Sequence, residues 1–240
     1  MKTIGLLGGM SWESTLSYYK LINQGINREL GGLHSAKICL NSVDFAEIEQ
    51  LQHQGKWQQT ADILTAVAQS VEAAGADCLL ICTNTMHKLA PQISAAINIP
   101  LIHIADATAQ QLIKDGVTRV GLLGTQFTMA EDFYKGRLRE QFDIEVLIPD
   151  ELAQQVVHKI IYTELCQGII CPESRQQYVE IIEKLHQQGA QAVILGCTEI
   201  ALLVQQEHTS VPLYDTTAIH GQSAVNFALE DHYKATDKCG

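Results

Sequence analysis

Gly75-Ala76-Asp77-Cys78-Leu79-Leu80-Ile81-Cys82-Thr83 returns later in the chain as Gly189-Ala190-Gln191-Ala192-Val193-Ile194-Leu195-Gly196-Cys197, an offset of 114. Each copy starts with a glycine, which in the first closes an amphipathic helical stretch, passes through a short apolar run, and emerges into polar residues. An apolar run without alternation is a strand buried on both faces, as in a parallel sheet covered by helices. Two further matches flank this one in the same order. Gly5-Leu6-Leu7-Gly8 returns as Gly121-Leu122-Leu123-Gly124 (offset 116), and Ile99-Pro100-Leu101 as Val211-Pro212-Leu213 (offset 112). Three collinear matches at nearly constant offset mark an internal duplication.

The stretches between these runs have helical periodicity. Helices are expected from about Glu13 to Leu30, from about Thr60 to Ala74 with Gly75 as the residue after its end, and from Thr198 to Gln206. Strands are expected at Ile4–Leu7, Ile38–Leu40, Asp77–Cys82, 118–123 and 190–195. Strand and helix in alternation predict right-handed crossovers and parallel sheets. The expected fold is α/β, with two pseudo-symmetric parallel-sheet domains of Rossmann-like or flavodoxin-like build and the ligand cleft between their equivalent faces. The Pro100 segment leads into the strand at 118–123 and is placed with the second unit. By pseudo-symmetry the Pro212 segment is placed beside the first strand. The expected domains are therefore 1–98 plus 210–240, and 99–209. Residues 230–240 carry several charges and no apolar period, and read as a terminal tail.

Composition excludes several function classes. The 240 residues hold 16 Lys and Arg against 27 Asp and Glu, a formal charge of −11. A broad basic surface for phosphate contacts is thereby excluded, and no nucleic-acid partner is expected. The seven cysteines are odd in number and form no C-x-x-C pair, which fits a reducing cytoplasm. The apolar run at Ile4–Met10 is too short for a signal peptide, no run approaches a membrane span, and no membrane association is expected. Neither G-x-G-x-x-G nor the phosphate-loop pattern occurs, and no H-E-x-x-H or close His/Cys cluster appears. No nucleotide cofactor and no metal is expected.

In a parallel sheet, ligands collect at the carboxyl ends of strands. Five such ends carry polar groups: Gly8-Gly9-Met10-Ser11-Trp12, Thr83-Asn84-Thr85-Met86-His87, Gly124-Thr125-Gln126-Phe127-Thr128, Gly196-Cys197-Thr198-Glu199, and Asp215-Thr216-Thr217 followed by His220. Hydroxyls, amides and exposed backbone N–H groups at helix starts hold carboxylates without a formal cation. An anionic ligand is thus compatible with an acidic chain. Cys197 stands between a buried strand and a helix start, a placement expected to lower its thiol pKa. Thr83 is its repeat equivalent. Cys82, one residue earlier, points to the other face if the strand continues, and reads as structural. His87 either orients the group at Thr83 or caps and packs its helix. Glu199 either orients a neighbour or accepts helix N-terminal N–H bonds. His220 has both a functional and a structural reading.

Together these motifs resemble the aspartate/glutamate racemase family, which works without pyridoxal phosphate. Its C-N-T-x-H and G-C-T-E/H motifs have their counterparts in Thr83-Asn84-Thr85-Met86-His87 and Gly196-Cys197-Thr198-Glu199. The resemblance spans nearly the whole chain and implies a homodimeric, cytoplasmic enzyme with no cofactor and a small amino-acid substrate. Two acid/base groups on opposite faces of the substrate Cα invert its configuration. Carried over, Cys197 is the base on one face. Asn84, Thr85 and Thr198 hold the α-carboxylate and amino group. Met10, Ser11, Thr125 and Thr128 line the side-chain carboxylate pocket. His87, Glu199 and His220 are supporting residues.

The chain departs from the family at Thr83, where the first cysteine is expected. This is closest to an L-aspartate/glutamate-specific branch, in which Cys197 abstracts the proton of the L substrate and Thr83 or water reprotonates the other face. Aspartate and glutamate differ by one methylene, and no cation lies in Ser42–Glu49 to discriminate between them. Alternative readings on this scaffold are a hydrolase in which Cys197 with His220 or Glu199 forms a covalent nucleophile site, a cysteine-dependent isomerase or decarboxylase, or a catalytically silent amino-acid-binding protein.

Overall fold

A computed structural model describes residues 1–236. The chain runs β1 (Ile4–Gly8), α1 (Trp12–Leu30), β2 (Ile38–Ser42), α2 (Phe45–His53), α3 (Trp57–Ala73), β3 (Cys78–Ile81) and α4 (Ala90–Ala95). It continues with α5 (Ile104–Lys114), β4 (Arg119–Gly124), α6 (Gln126–Ala130), α7 (Asp132–Phe142), β5 (Glu145–Leu147), α8 (Glu151–Thr163) and α9 (Pro172–Gln187). It closes with β6 (Ala192–Gly196), α10 (Ile200–Leu203), β7 (Leu213–Asp215) and α11 (Thr216–Thr236). Every strand pairing is parallel. One sheet has the order β2-β1-β3 and the other β5-β4-β6-β7. The fold is therefore the expected two-sheet α/β arrangement.

Equivalent hydrogen bonds repeat the duplication in atoms. Leu79 N donates to Pro100 O at 2.9 Å, and Val193 N donates to Pro212 O at 2.8 Å. Asp77 N donates to Thr3 O at 2.8 Å, and Gln191 N to Arg119 O at 2.9 Å. The glycines that open the two repeated stretches both take positive φ, 91° at Gly75 and 103° at Gly189, where a side chain would be strained. Gly8 serves a close approach instead. A Cβ there would lie 2.5 Å from Thr15 Cγ2, and Thr15 Oγ1 is the acceptor that fixes Gly9 N at 2.8 Å.

Two compact units emerge among the described residues: 1–82 with 89–103 and the chain from 220 on, and 83–88 with 104–219. Their edges differ from the expected ones. Leu101 bridges Leu79, so the Pro100 segment stays with the first sheet. Leu213 pairs with Val193, so the Pro212 segment stays with the second sheet and does not join β1. What changes unit is the helix after each of these segments. In α5, Ile104, Ala105, Ala109 and Leu112 pack with Val120, Leu122 and Leu138 in the second unit's core. In α11, Ala224, Val225, Ala228 and Leu229 pack with Ile4, Leu6 and Ile22 in the first. Each fully buried Leu, Ile or Val side chain contributes roughly 1.5–3 kcal/mol, so the helix, not the short extended segment before it, decides the grouping. Polar contacts repeat the exchange: His220 of α11 meets Tyr18 of α1, and Thr108 of α5 meets Tyr134 of α7.

Other boundaries also moved. Helix α3 begins three residues before the expected start at Thr60, and residues 45–53, with no expected element, form α2 behind an Asp44 cap whose side chain accepts from Ala46 N. The expected terminal tail is helical as far as Thr236, because α11 is held by its apolar face up to Leu229. The remainder of that tail, with Cys239, lies outside the described residues.

Candidate active site

The chemistry begins at the end of β6. Cys197 is buried, and its Sγ–H donates to Glu199 Oε2 at 3.0 Å. Thr198 Oγ1 donates to the same oxygen at 2.7 Å. The expected lowering of the thiol pKa is overturned. Burial first, and then the nearby Glu199 carboxylate, push the Cys197 thiol well above its ordinary range. The reason is structural: the helix expected over 198–206 is only the four residues of α10, beginning three residues beyond the thiol. So short a dipole is outweighed by desolvation and a like charge at hydrogen-bond distance. At rest Cys197 is a thiol hydrogen-bonded to a carboxylate. That arrangement gives its proton a place to go.

Asn84 belongs to a second group. Leu195 O can only accept, so the Thr216 hydroxyl, 2.8 Å away, donates to it. Thr216 Oγ1 therefore accepts from Asn84 Nδ2 at 3.1 Å. With its nitrogen fixed, the amide leaves Oδ1 buried and without a hydrogen-bond partner. Thr217 Oγ1 is likewise buried and unpartnered. Unpaired buried acceptors are costly, and they mark positions where a ligand donor fits.

A third group unites three strand-end hydroxyls. Thr85 Oγ1 is 2.9 Å from Thr125 Oγ1 and 3.4 Å from Thr128 Oγ1, and the latter two are 3.1 Å apart. Thr125 is also the N-cap of α6, accepting from Thr128 N at 3.3 Å. The structure thus joins Thr85, Thr125 and Thr128, which the sequence reading had divided between two ends of the substrate. Met10 and Ser11, both buried, belong to the other unit, on the loop after β1. Thr83 is half-buried. Cys82 lies in the first unit's core with its thiol pushed up by burial.

The two histidines are braces. Thr83 O can only accept, so His87 Nδ1 carries the hydrogen and donates to it at 2.8 Å. His87 Nε2 then accepts from Ile104 N at 3.2 Å, capping the first turn of α5. His220 Nε2 donates to Ile102 O at 2.7 Å, and its Nδ1 accepts from Tyr18 at 2.8 Å. Burial lowers the His220 pKa to about 3. Lys88, which follows the first motif, pairs with Glu131 at 2.6 Å. Among the described residues, no group of three or more His, Cys, Asp or Glu is placed to hold a metal ion, and no helix is long and apolar enough to cross a membrane.

Thr216 and Thr217 are the functional candidates that the sequence reading named only as part of a strand end. Their signal is the run Asp215-Thr216-Thr217, in which Asp215 Oδ1 accepts from Thr217 N at 2.8 Å and seats both hydroxyls at the start of α11.

The profile of the Asp/Glu/hydantoin racemase family matches residues 7–224. The chain belongs to that family. Among solved structures, this racemase-family chain is similar to a Yersinia pestis protein proposed to be an Asp/Glu racemase, with 55% identity and a TM-score of 0.89 over 95% of this chain and 100% of that one. An aspartate racemase homologue from Pyrococcus horikoshii OT3 is 34% identical, with a TM-score of 0.81 over 95% and 99% of the two chains. A broad-specificity amino-acid racemase of Bacillus subtilis is 22% identical over 169 residues, covering 68% of this chain and 69% of its own.

Proposed function

We propose that this racemase-family chain exchanges the α-proton of aspartate and glutamate without a cofactor, with the L substrates preferred. The observation that carries the reading is the Cys197–Glu199 pair, a buried thiol whose hydrogen already points at a carboxylate 3.0 Å away. Glu199 takes the Sγ proton. The thiolate then removes the α-proton from one face, and the electron pair of the Cα–H bond moves toward the α-carboxylate. Thr83, or a water held there, returns a proton to the other face and is reprotonated from solvent, while Glu199 releases to solvent the proton it took and Cys197 is left as the thiol. A thiolate in this dry setting is a stronger base than one in water, which suits a weakly acidic Cα–H.

The donors around it supply what a cofactor would otherwise supply. The unpartnered Asn84 Oδ1 receives the substrate ammonium. The Thr85, Thr125 and Thr128 hydroxyls, each able to turn its hydrogen outward, hold a carboxylate, while backbone N–H groups at Thr198, whose own hydroxyl is given to Glu199, stabilise the charge growing on the other carboxylate. The hydrolase reading with His220 as base loses support, because both ring nitrogens of His220 are engaged elsewhere.

The test is incubation of each enantiomer of both amino acids in D2O, with the α-proton followed by NMR. Deuterium entering L-aspartate or L-glutamate, lost in Cys197→Ala, is the expected result. Undiminished exchange in that variant overturns the mechanism. Ammonia release or a trapped thioester points to hydrolysis.

A further inference from the structure

The three-hydroxyl group is built from two chain segments 40 residues apart in the sequence. Thr85 opens a short 3-10 helix, Thr85–Leu89, while Thr125 caps α6 and Thr128 lies within it. All three side chains are buried, and each hydroxyl has one hydrogen to give. At oxygen separations of 2.9, 3.1 and 3.4 Å, those hydrogens tie the threonines to one another. A carboxylate can only accept, so it would draw the hydrogens away. The threonine oxygens would then face one another as bare acceptors. Binding would thus push the two segments apart unless another contact holds them together.

Such a contact stands one turn further along both segments. Lys88 follows Thr85 by three residues, which in a 3-10 helix places the two on one face. Glu131 follows Thr128 by three and closes α6. Lys88 Nζ lies 2.6 Å from Glu131 Oε2, with the side chains only 26% and 34% exposed, so salt screens the pair less than it would a fully exposed one. The Glu131 end is itself anchored, because Lys135 of α7 donates to Ala130 O at 2.7 Å and to Met129 O at 3.3 Å. Lys88 can only donate and takes none of the threonine hydrogens, so the ion pair survives their turning to a ligand. We propose that Lys88 and Glu131 are a positioning pair that holds Thr85 against Thr125 and Thr128 while a substrate carboxylate is bound. The pair acts through the threonines, and it rests on the racemase reading for the identity of that carboxylate.

Two measurements on the same variants test this: α-proton exchange of L-aspartate and L-glutamate, and amide deuterium exchange of a peptic peptide spanning 83–88. Lys88→Glu and Glu131→Lys, taken singly, each bring like charges together. Each should raise KM about fivefold or more with kcat within about twofold, and the double reversal should return KM to within about twofold of wild type. Amide exchange across 83–88 should speed up in each single variant and slow again in the double. Unchanged KM in the singles, or a double reversal no better than either single, overturns the positioning pair. So does a KM lowered by Glu131→Gln, since the released Lys88 would then be binding the carboxylate itself. A wild type without α-proton exchange refutes the racemase reading alone. Amide exchange then still decides the pair: faster in the singles and restored in the double supports it, and unchanged rates refute it.

Discussion

The hydroxyl of Thr216 decides which end of the Asn84 amide is free. Because that hydroxyl spends its hydrogen on Leu195 O, it can only accept from Asn84, and the amide oxygen is left buried without a partner, where the proposed function puts the substrate ammonium. Thr216→Val removes the acceptor and lets the amide turn its nitrogen outward, toward a substrate ammonium it would repel. The expected outcome is a KM raised about tenfold or more with a smaller change in kcat, while Thr216→Ser stays near wild type. A kcat loss at constant KM would show that Thr216 acts in some other way.

The Cys197–Glu199 hydrogen bond makes two opposite demands on one substitution. Glu199→Gln removes the charge that helps hold the thiol protonated, so alkylation of Cys197 by iodoacetamide should speed up. The same change removes the group that takes the proton during turnover, and α-proton exchange should fall by about 10²–10⁴, the usual worth of a general base. Reactivity and catalysis moving in the same direction would rule out a proton-accepting Glu199.

A hydroxyl at Thr83 is a far weaker acid than a thiol, so removal of a proton from that face is the step it serves worst. Thr83→Cys should raise the exchange rate of D-aspartate or D-glutamate relative to the L form. An unchanged ratio of D to L rates would remove Thr83 from the second face.

His220 sets a pH dependence of stability. Its folded pKa of about 3 lies below the ordinary 6.5, so the unfolded chain binds a proton there that the folded chain refuses. The neutral form's contribution is complete above about pH 6.5 and is lost as pH falls toward 3, by up to about 5 kcal/mol. His220→Gln should be less stable at pH 7, and the gap to wild type in urea midpoint should narrow steadily between pH 6 and pH 4. A constant gap would mean that His220 is not held neutral.

The sheets were legible in the repeat because buried parallel strands must be continuously apolar; the contact of Thr85 with Thr125 and Thr128 was not, because strand-end positions in sequence do not say which hydroxyls meet. The exchange of α5 and α11 was not legible. Ala105 and Ala109 on one and Ala224 and Ala228 on the other are interchangeable as apolar surface, and periodicity cannot say which sheet a helix covers. The state of Cys197 was misread for a related reason. A helix start lowers a thiol pKa only if the helix is long enough and the sulfur is wet, and burial and the reach of Glu199 are tertiary facts.

The exchanged helices also bear on the ancestry of the duplication. A half-length chain ending near residue 115 would carry α5 but not the helix that closes its own core, leaving Ile4, Leu6 and Ile22 uncovered where Ala224, Val225 and Leu229 now sit. Such a chain could complete itself only by lending its last helix to a twin and borrowing the twin's in return. Fusion of the two genes would then have made a reciprocal loan permanent, turning a concentration-dependent assembly into a covalent one.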